Sequence, residues 1–197
     1  MFEKDGREKI VSKTLYIIAG ANGSGKTTFA LTYAHLKNLH FINADEIAKA
    51  YDSNDLEKYK IKAGKEFFKQ LNYNLKNNDE SFIIETTLSG KYLIRVIEEA
   101  KQHQFEIVLV YLFLDDATEN ILRVKNRVLN GGHNIPVEDI KRRYIRSRQL
   151  FLHVYKDLVD TYLIFFNGDD SYELVAENEE ILDENLYRQF LKGFENE

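Results

Sequence analysis

The chain of 197 residues contains no cysteine and no tryptophan, and only one proline. Without cysteine there is no disulfide framework, no thiolate metal site and no cysteine nucleophile. Scarce proline together with 13 % aromatic content argues against a disordered chain. Long hydrophobic runs are missing too. No stretch approaches the roughly 18 apolar residues of a membrane span, and the N-terminus lacks the apolar core of a secretion signal. A cytoplasmic protein with no membrane contact is the expectation. The 44 % hydrophobic content is enough for one domain, residues 1–197, to bury a core of its own.

Net charge is −5, so the molecule as a whole offers nucleic acid no electrostatic attraction, and nucleic acid is not an expected partner. One segment is nonetheless strongly basic. Arg123, Lys125, Arg127, Lys141, Arg142, Arg143, Arg146 and Arg148 fall within 26 positions, opposed only by Glu138 and Asp139. From Asp169 onward acids outnumber bases. The basic segment therefore needs a local explanation.

Gly20-Ala21-Asn22-Gly23-Ser24-Gly25-Lys26-Thr27 meets the pattern G-x-x-x-x-G-K-[ST] at every fixed position. An apolar, β-favouring stretch, residues 14–19, precedes it, and residues 27–36 read as a helix. In that setting the glycines let successive backbone N–H groups turn inward around a β-phosphate, and the helix N-terminus adds partial positive charge. Lys26 can reach the β- and γ-phosphates, and Thr27 can place its hydroxyl on Mg²⁺. Gly20 through Thr28 form the candidate nucleotide site, with ATP or GTP and Mg²⁺ as the implied cofactors.

Strand-like stretches recur at 40–43, 81–85, 107–113 and 162–166, with a short additional one at 172–176. Helical patterns alternate with them. Residues 55–75 carry Ile61, Lys65, Phe68 and Leu71 at helical spacing, and residues 183–194 carry Leu186, Phe190 and Phe194. Residues 1–12 read as a short polar arm or a single helical turn. The alternation predicts an α/β fold of the P-loop NTPase type: an open, mainly parallel sheet of about five strands with helices on both faces.

Two of these strands end in carboxylates. Asp45 follows Phe41-Ile42-Asn43-Ala44, where it serves either as a helix N-cap or as a group facing the crevice at the carboxyl end of a strand. Glu85-Thr86-Thr87 ends the strand at 81–85, and a partly buried acid needs partners. Asp115-Asp116 is a capping or secondary metal candidate. Residues 117–148 read as a lid of two helices joined by Gly131-Gly132-His133, the glycines pointing to a hinge. Arginine suits such a lid because it grips phosphate bidentately and stays charged in a drying site. A solvated basic helix face is the plainer alternative.

A phosphate loop, an arginine-bearing lid and two strand-end acids suit phosphoryl transfer to a small acceptor. The guanine-reading tetrapeptide Asn-Lys-x-Asp is absent. The ordered blocks Ala19–Thr28, Phe41–Asp45, Ile84–Gly90, Arg127-Val128 with Gly131–Pro136, and Arg142–Ser147 resemble the zeta-toxin family of P-loop kinases, in its zeta-like form with a Gly-Gly-His lid. The resemblance implies transfer of the nucleotide γ-phosphate to a hydroxyl of a nucleotide-sugar such as UDP-N-acetylglucosamine, and a small antitoxin protein as partner. It implies Asp45 as general base and Lys26 and Thr27 on donor phosphate and Mg²⁺. Glu85, Thr86, Thr87 and His133 fall to the acceptor side, and Arg127, Arg143 and Arg146 to the phosphates. A nucleotide-dependent RNA-end-processing or regulatory binding protein is the competing reading.

Overall fold

Alternation along β1 (Thr14–Ala19) sets up the two-sided core. Leu15, Ile17 and Ala19 join one buried cluster, while Ile18, with Tyr16 beside it, joins a second. A strand covered on both faces is apolar at nearly every position. The structure, a computed structural model, describes residues 13–52, 56–77, 79–132, 134–168 and 171–195. The polar arm expected at residues 1–12, the start of the helix expected at 55, and His133 lie outside the described residues.

From β1 the chain runs through α1 (Lys26–Lys37), β2 (His40–Ile42), α2 (Ala44–Tyr51), α3 (Leu56–Asn77) and β3 (Phe82–Thr86). It continues through α4 (Tyr92–Gln102), β4 (Glu106–Phe113), α5 (Ala117–Leu129) and α6 (Val137–Leu150), which runs on as a π-helical turn, Phe151–Tyr155. Last come β5 (Thr161–Asn167), β6 (Tyr172–Glu177), β7 (Glu180–Ile181) and α7 (Glu184–Glu195). The strands form one sheet in the order β2-β3-β1-β4-β5-β6-β7. The first five are parallel, as the sequence leads one to expect, while β6 and β7 extend the sheet antiparallel, making seven strands. The two-residue β7 has no sequence signal of its own.

Ala30 and Ala34 of α1 close the second cluster, and Phe29 and Tyr33 pack beside them. On the other face α4 buries Leu93, Val96, Ile97 and Ala100, the i, i+3, i+4, i+7 stripe of an amphipathic helix. Phe190 of α7 packs against Tyr111, Phe113 and Phe151 at ring separations of 5.5, 5.2 and 5.8 Å. On α3 the buried stripe is Ala63, Phe67, Leu71 and Leu75, whereas Ile61 and Phe68 are exposed. The apolar face expected through Ile61 and Phe68 is thus rotated onto Phe67, because the helix offers two overlapping apolar stripes and only one is level with the sheet.

The topology positions the site. β1 is central, and the connection β1–β2 leads one way across the sheet while β3–β4 leads the other. Ligands in open α/β sheets lie outside the carboxyl ends of the strands at such a reversal. The loop after β1, the end of β2 and the end of β3 all meet there.

Candidate active site

The phosphate loop is held in shape from outside. Its carbonyls at Ala21, Asn22, Ser24 and Gly25 accept hydrogen bonds from Lys26 Nζ (3.0 Å), Asn120 Nδ2 (2.7 Å), Asn167 Nδ2 (2.9 Å) and the Tyr172 hydroxyl (3.2 Å). With those carbonyls engaged, the loop is free to turn N–H groups toward an anion. Gly23 and Gly25 take φ of 84° and 86°, the left-handed region that glycine adopts without penalty. A Cβ on Gly25 would stand 2.2 Å from Asn167 Nδ2. Gly25→Ala is therefore expected to weaken ATP binding at least about tenfold, with the fold retained, as read by calorimetric titration and far-UV circular dichroism.

The buried cation of the loop fits a phosphate: Lys26 lines the crevice with its ammonium on the Ala21 carbonyl and 3.8 Å from Glu85 Oε1. Burial pushes the Lys26 pKa down, Glu85 opposing it and Arg127 adding to it. A buried cation so placed gains most from an arriving anion. Among the described residues no cluster of three His, Asp or Glu could hold a metal. Thr27 lines the crevice, and one hydroxyl completed by phosphate oxygens and water fits Mg²⁺, which seldom takes an all-protein cage.

Around this loop opens a crevice of about 300 Å³ that brings together most of the residues expected from sequence: Asn22, Gly23, Gly25, Lys26, Thr27, Thr28, Asp45, Glu85, Thr86, Thr87 and Arg127. Asn43 and Arg123 line it as well. Helix α2 begins at Ala44 and its N-cap is Asn43, whose Oδ1 accepts from the N–H groups of Asp45 (2.7 Å) and Glu46 (3.1 Å). Asp45 is thus not the cap; its side chain is exposed on the first turn, at the crevice. Thr86 Oγ1 accepts from Leu88 N (3.0 Å) and the Tyr92 hydroxyl (3.1 Å). Leu88 is buried at φ 53°, a strained backbone that pins the loop after β3.

The lid arginines part company. Arg127 lines the crevice, and Arg143 Nη1 donates to Asn22 Oδ1 at 3.0 Å. Arg146 instead faces a separate groove with Lys91, Arg142 and Gln149. Arg142 and Arg146, four apart, face that groove together, while Arg143 turns to the loop. Arg148 is buried, its guanidinium 3.7 Å from the Tyr144 ring centre and donating to the carbonyl of Leu114. Asp116, not Asp115, caps α5, and the Asp115 carbonyl accepts from Tyr144. The glycines of the expected hinge have structural work. Gly131, at φ 80°, ends α5, and a Cβ on Gly132 would meet Arg127 Cγ at 2.5 Å.

Asn43, Arg123, Asn120, Asn167 and Tyr172 are the contributors that sequence reading missed. Arg123 Nη2 donates to the Asn167 carbonyl (3.2 Å) and pairs with Glu119, which ties the lid to the end of β5. The available signal for Asn43 was its place two residues before Asp45, directly after a strand.

Known proteins share this architecture. The zeta toxin family model matches residues 3–180. A Haemophilus influenzae relative described only as an uncharacterized protein is 31 % identical over 125 residues, 64 % of this chain and 88 % of its own. The crystal structure of AvrRxo1-ORF1:-ORF2 with ATP matches with a TM-score of 0.71 at 17 % identity, over 91 % of this chain and 63 % of that one. The chain thus spans less than two thirds of that protein's length. A chain of the PezAT chromosomal toxin-antitoxin system of Streptococcus pneumoniae matches with a TM-score of 0.66 at 16 % identity, over 98 % of this chain and 83 % of that one. At such identities the structural likenesses establish the fold.

Proposed function

The chain belongs to the zeta toxin family, and from that premise we propose that it is a P-loop phosphotransferase acting on a hydroxyl of a small molecule. A nucleotide-sugar such as UDP-N-acetylglucosamine is the acceptor to which the family resemblance points. The observation that carries the reading is one crevice lined both by the phosphate loop and by the carboxylates of Asp45 and Glu85.

ATP or GTP with Mg²⁺ supplies the activated phosphoryl group. Lys26 neutralises the β- and γ-phosphates, and Thr27 offers its hydroxyl to the metal. Arg127 and Arg143 approach from the lid side, where they stabilise charge on the transferring group. Asp45, exposed at the crevice mouth, orients the acceptor hydroxyl and takes its proton as the oxygen bonds to phosphorus. Glu85 and Thr87 meet the acceptor. Helices α5 and α6, tied to the loop through Asn120 and Arg143, shield the crevice from water and so suppress idle hydrolysis.

A small antitoxin partner belongs to the same reading, supported by the match to a chain of the PezAT toxin-antitoxin system. Among the described residues no helix is long and apolar enough to cross a membrane. A cytoplasmic site of action, where ATP is abundant, completes the proposal. Its test is transfer of label from γ-labelled ATP, with Mg²⁺, to a panel of small hydroxyl acceptors that includes UDP-N-acetylglucosamine.

A further inference from the structure

Asn43 joins the two carboxylates of the crevice. It stands between β2 and α2 and is 5 % exposed. Ile42 is level with Ile84 in the parallel pairing of β2 and β3, so Asn43 and Glu85 stand side by side at neighbouring strand ends. Both ends of its amide are in use. Oδ1 caps α2 through the N–H groups of Asp45 and Glu46, and Nδ2 donates to Glu85 Oε2. Two backbone donors on one side and a carboxylate acceptor on the other fix the orientation of the amide. The second Glu85 oxygen lies 3.8 Å from Lys26 Nζ. An unbroken line of contacts therefore runs from Asp45 through Asn43 and Glu85 to the phosphate-binding lysine.

Capping alone does not require asparagine, because aspartate or serine caps a helix about as well. Only asparagine is neutral, caps with its carbonyl and still reaches a carboxylate with a donor. We infer that Asn43 is a positioning residue that holds Asp45 and Glu85 in one arrangement against the donor phosphates. The inference rests on the proposed phosphotransfer, and Asn43 acts in it through Asp45 and Glu85. The charged groups around the Asn43–Glu85 contact are Lys26 on α1, Asp45 and Glu46 on α2, Arg123 and Arg127 on α5 and Arg143 on α6.

Three variants separate the cap from the bridge, each followed by Tm, ATP Kd and the pH dependence of kcat/KM. Asn43→Ser keeps the cap but cannot reach Glu85. Its kcat is expected to fall about ten- to a hundredfold with ATP Kd unchanged and Tm within about 2 °C of the parent. Asn43→Ala loses both functions, and Tm falls by about 2–4 °C with kcat at least as low. Asn43→Asp keeps the cap but sets a second carboxyl against Glu85. Such a pair titrates as a unit with its second ionisation delayed, so the acidic limb of kcat/KM moves up by roughly one pH unit or more.

A fall in kcat that only tracks Tm, with the acidic limb of the aspartate variant unmoved, overturns the inference and leaves Asn43 as a cap. Weaker ATP binding by Asn43→Ser overturns it by placing Asn43 in the donor site. A parent protein that transfers no phosphoryl group overturns the phosphotransferase reading and this inference with it. A parent that transfers, with variants that fail this order, overturns the inference alone.

Discussion

Asp45→Asn is expected to lower kcat for phosphoryl transfer about 10²- to 10⁴-fold, the contribution typical of a positioned proton acceptor. Asparagine has nearly the same shape and remains on the first turn of α2, whose cap is supplied by Asn43 and not by residue 45. Packing and helix start are therefore preserved, and only the proposed proton acceptor is lost. ATP affinity should stay within about twofold of the parent, because the interaction removed belongs to the transition state. Pre-steady-state transfer kinetics and nucleotide titration on the same preparation separate the two quantities. Equal losses in both would instead place Asp45 on the metal.

Lys26→Ala is expected to damage donor binding and transfer together. The ammonium is buried and sits between the Ala21 carbonyl and Glu85. Truncating one member of a buried charge contact costs about 2–5 kcal/mol, so ATP Kd should rise roughly thirtyfold or more. Nucleotide titration checks this, and unchanged affinity would remove the phosphate-loop assignment. The pH dependence has a definite sign. Burial holds the Lys26 pKa below the ordinary lysine value, and only the charged form complements phosphate. ATP binding should weaken as pH rises through that lowered value, and binding near it should take up a proton, visible as a buffer-dependent calorimetric enthalpy.

The phosphate loop was legible because its constraints are backbone constraints. Gly23 and Gly25 occupy left-handed positions that the sequence announces by residue type. The inner strands β1, β3 and β4 were legible for a similar reason, since two-sided burial leaves nearly continuous apolar runs. The apolar stripe of α3 was not, because Phe67 and Phe68 are adjacent and either could face the sheet. The lid divided in the same way. Arg143 reaches Asn22 while Arg146 faces another groove, a difference of helix phase that composition does not encode. Gly131 and Gly132 signalled a special backbone correctly, but as a helix stop and a close approach to Arg127. Asn43, Asn120 and Asn167 escaped notice because asparagine at the edge of an element usually reads as a cap or turn. Their partners are 42, 98 and 143 positions away. Such contacts appear only once the carboxyl ends of β1, β2, β3 and β5 and the first turn of α5 are brought together.

The proposed reaction moves a phosphoryl group from ATP to a small hydroxyl acceptor. The most direct measurement incubates the protein with γ-labelled ATP, Mg²⁺ and the acceptor panel, and follows the label. Label is expected on a small molecule, with UDP-N-acetylglucosamine as the first candidate, and little of it in free phosphate. Label only in free phosphate, or on the end of an RNA bound with steeply salt-dependent affinity, would contradict the proposed reaction.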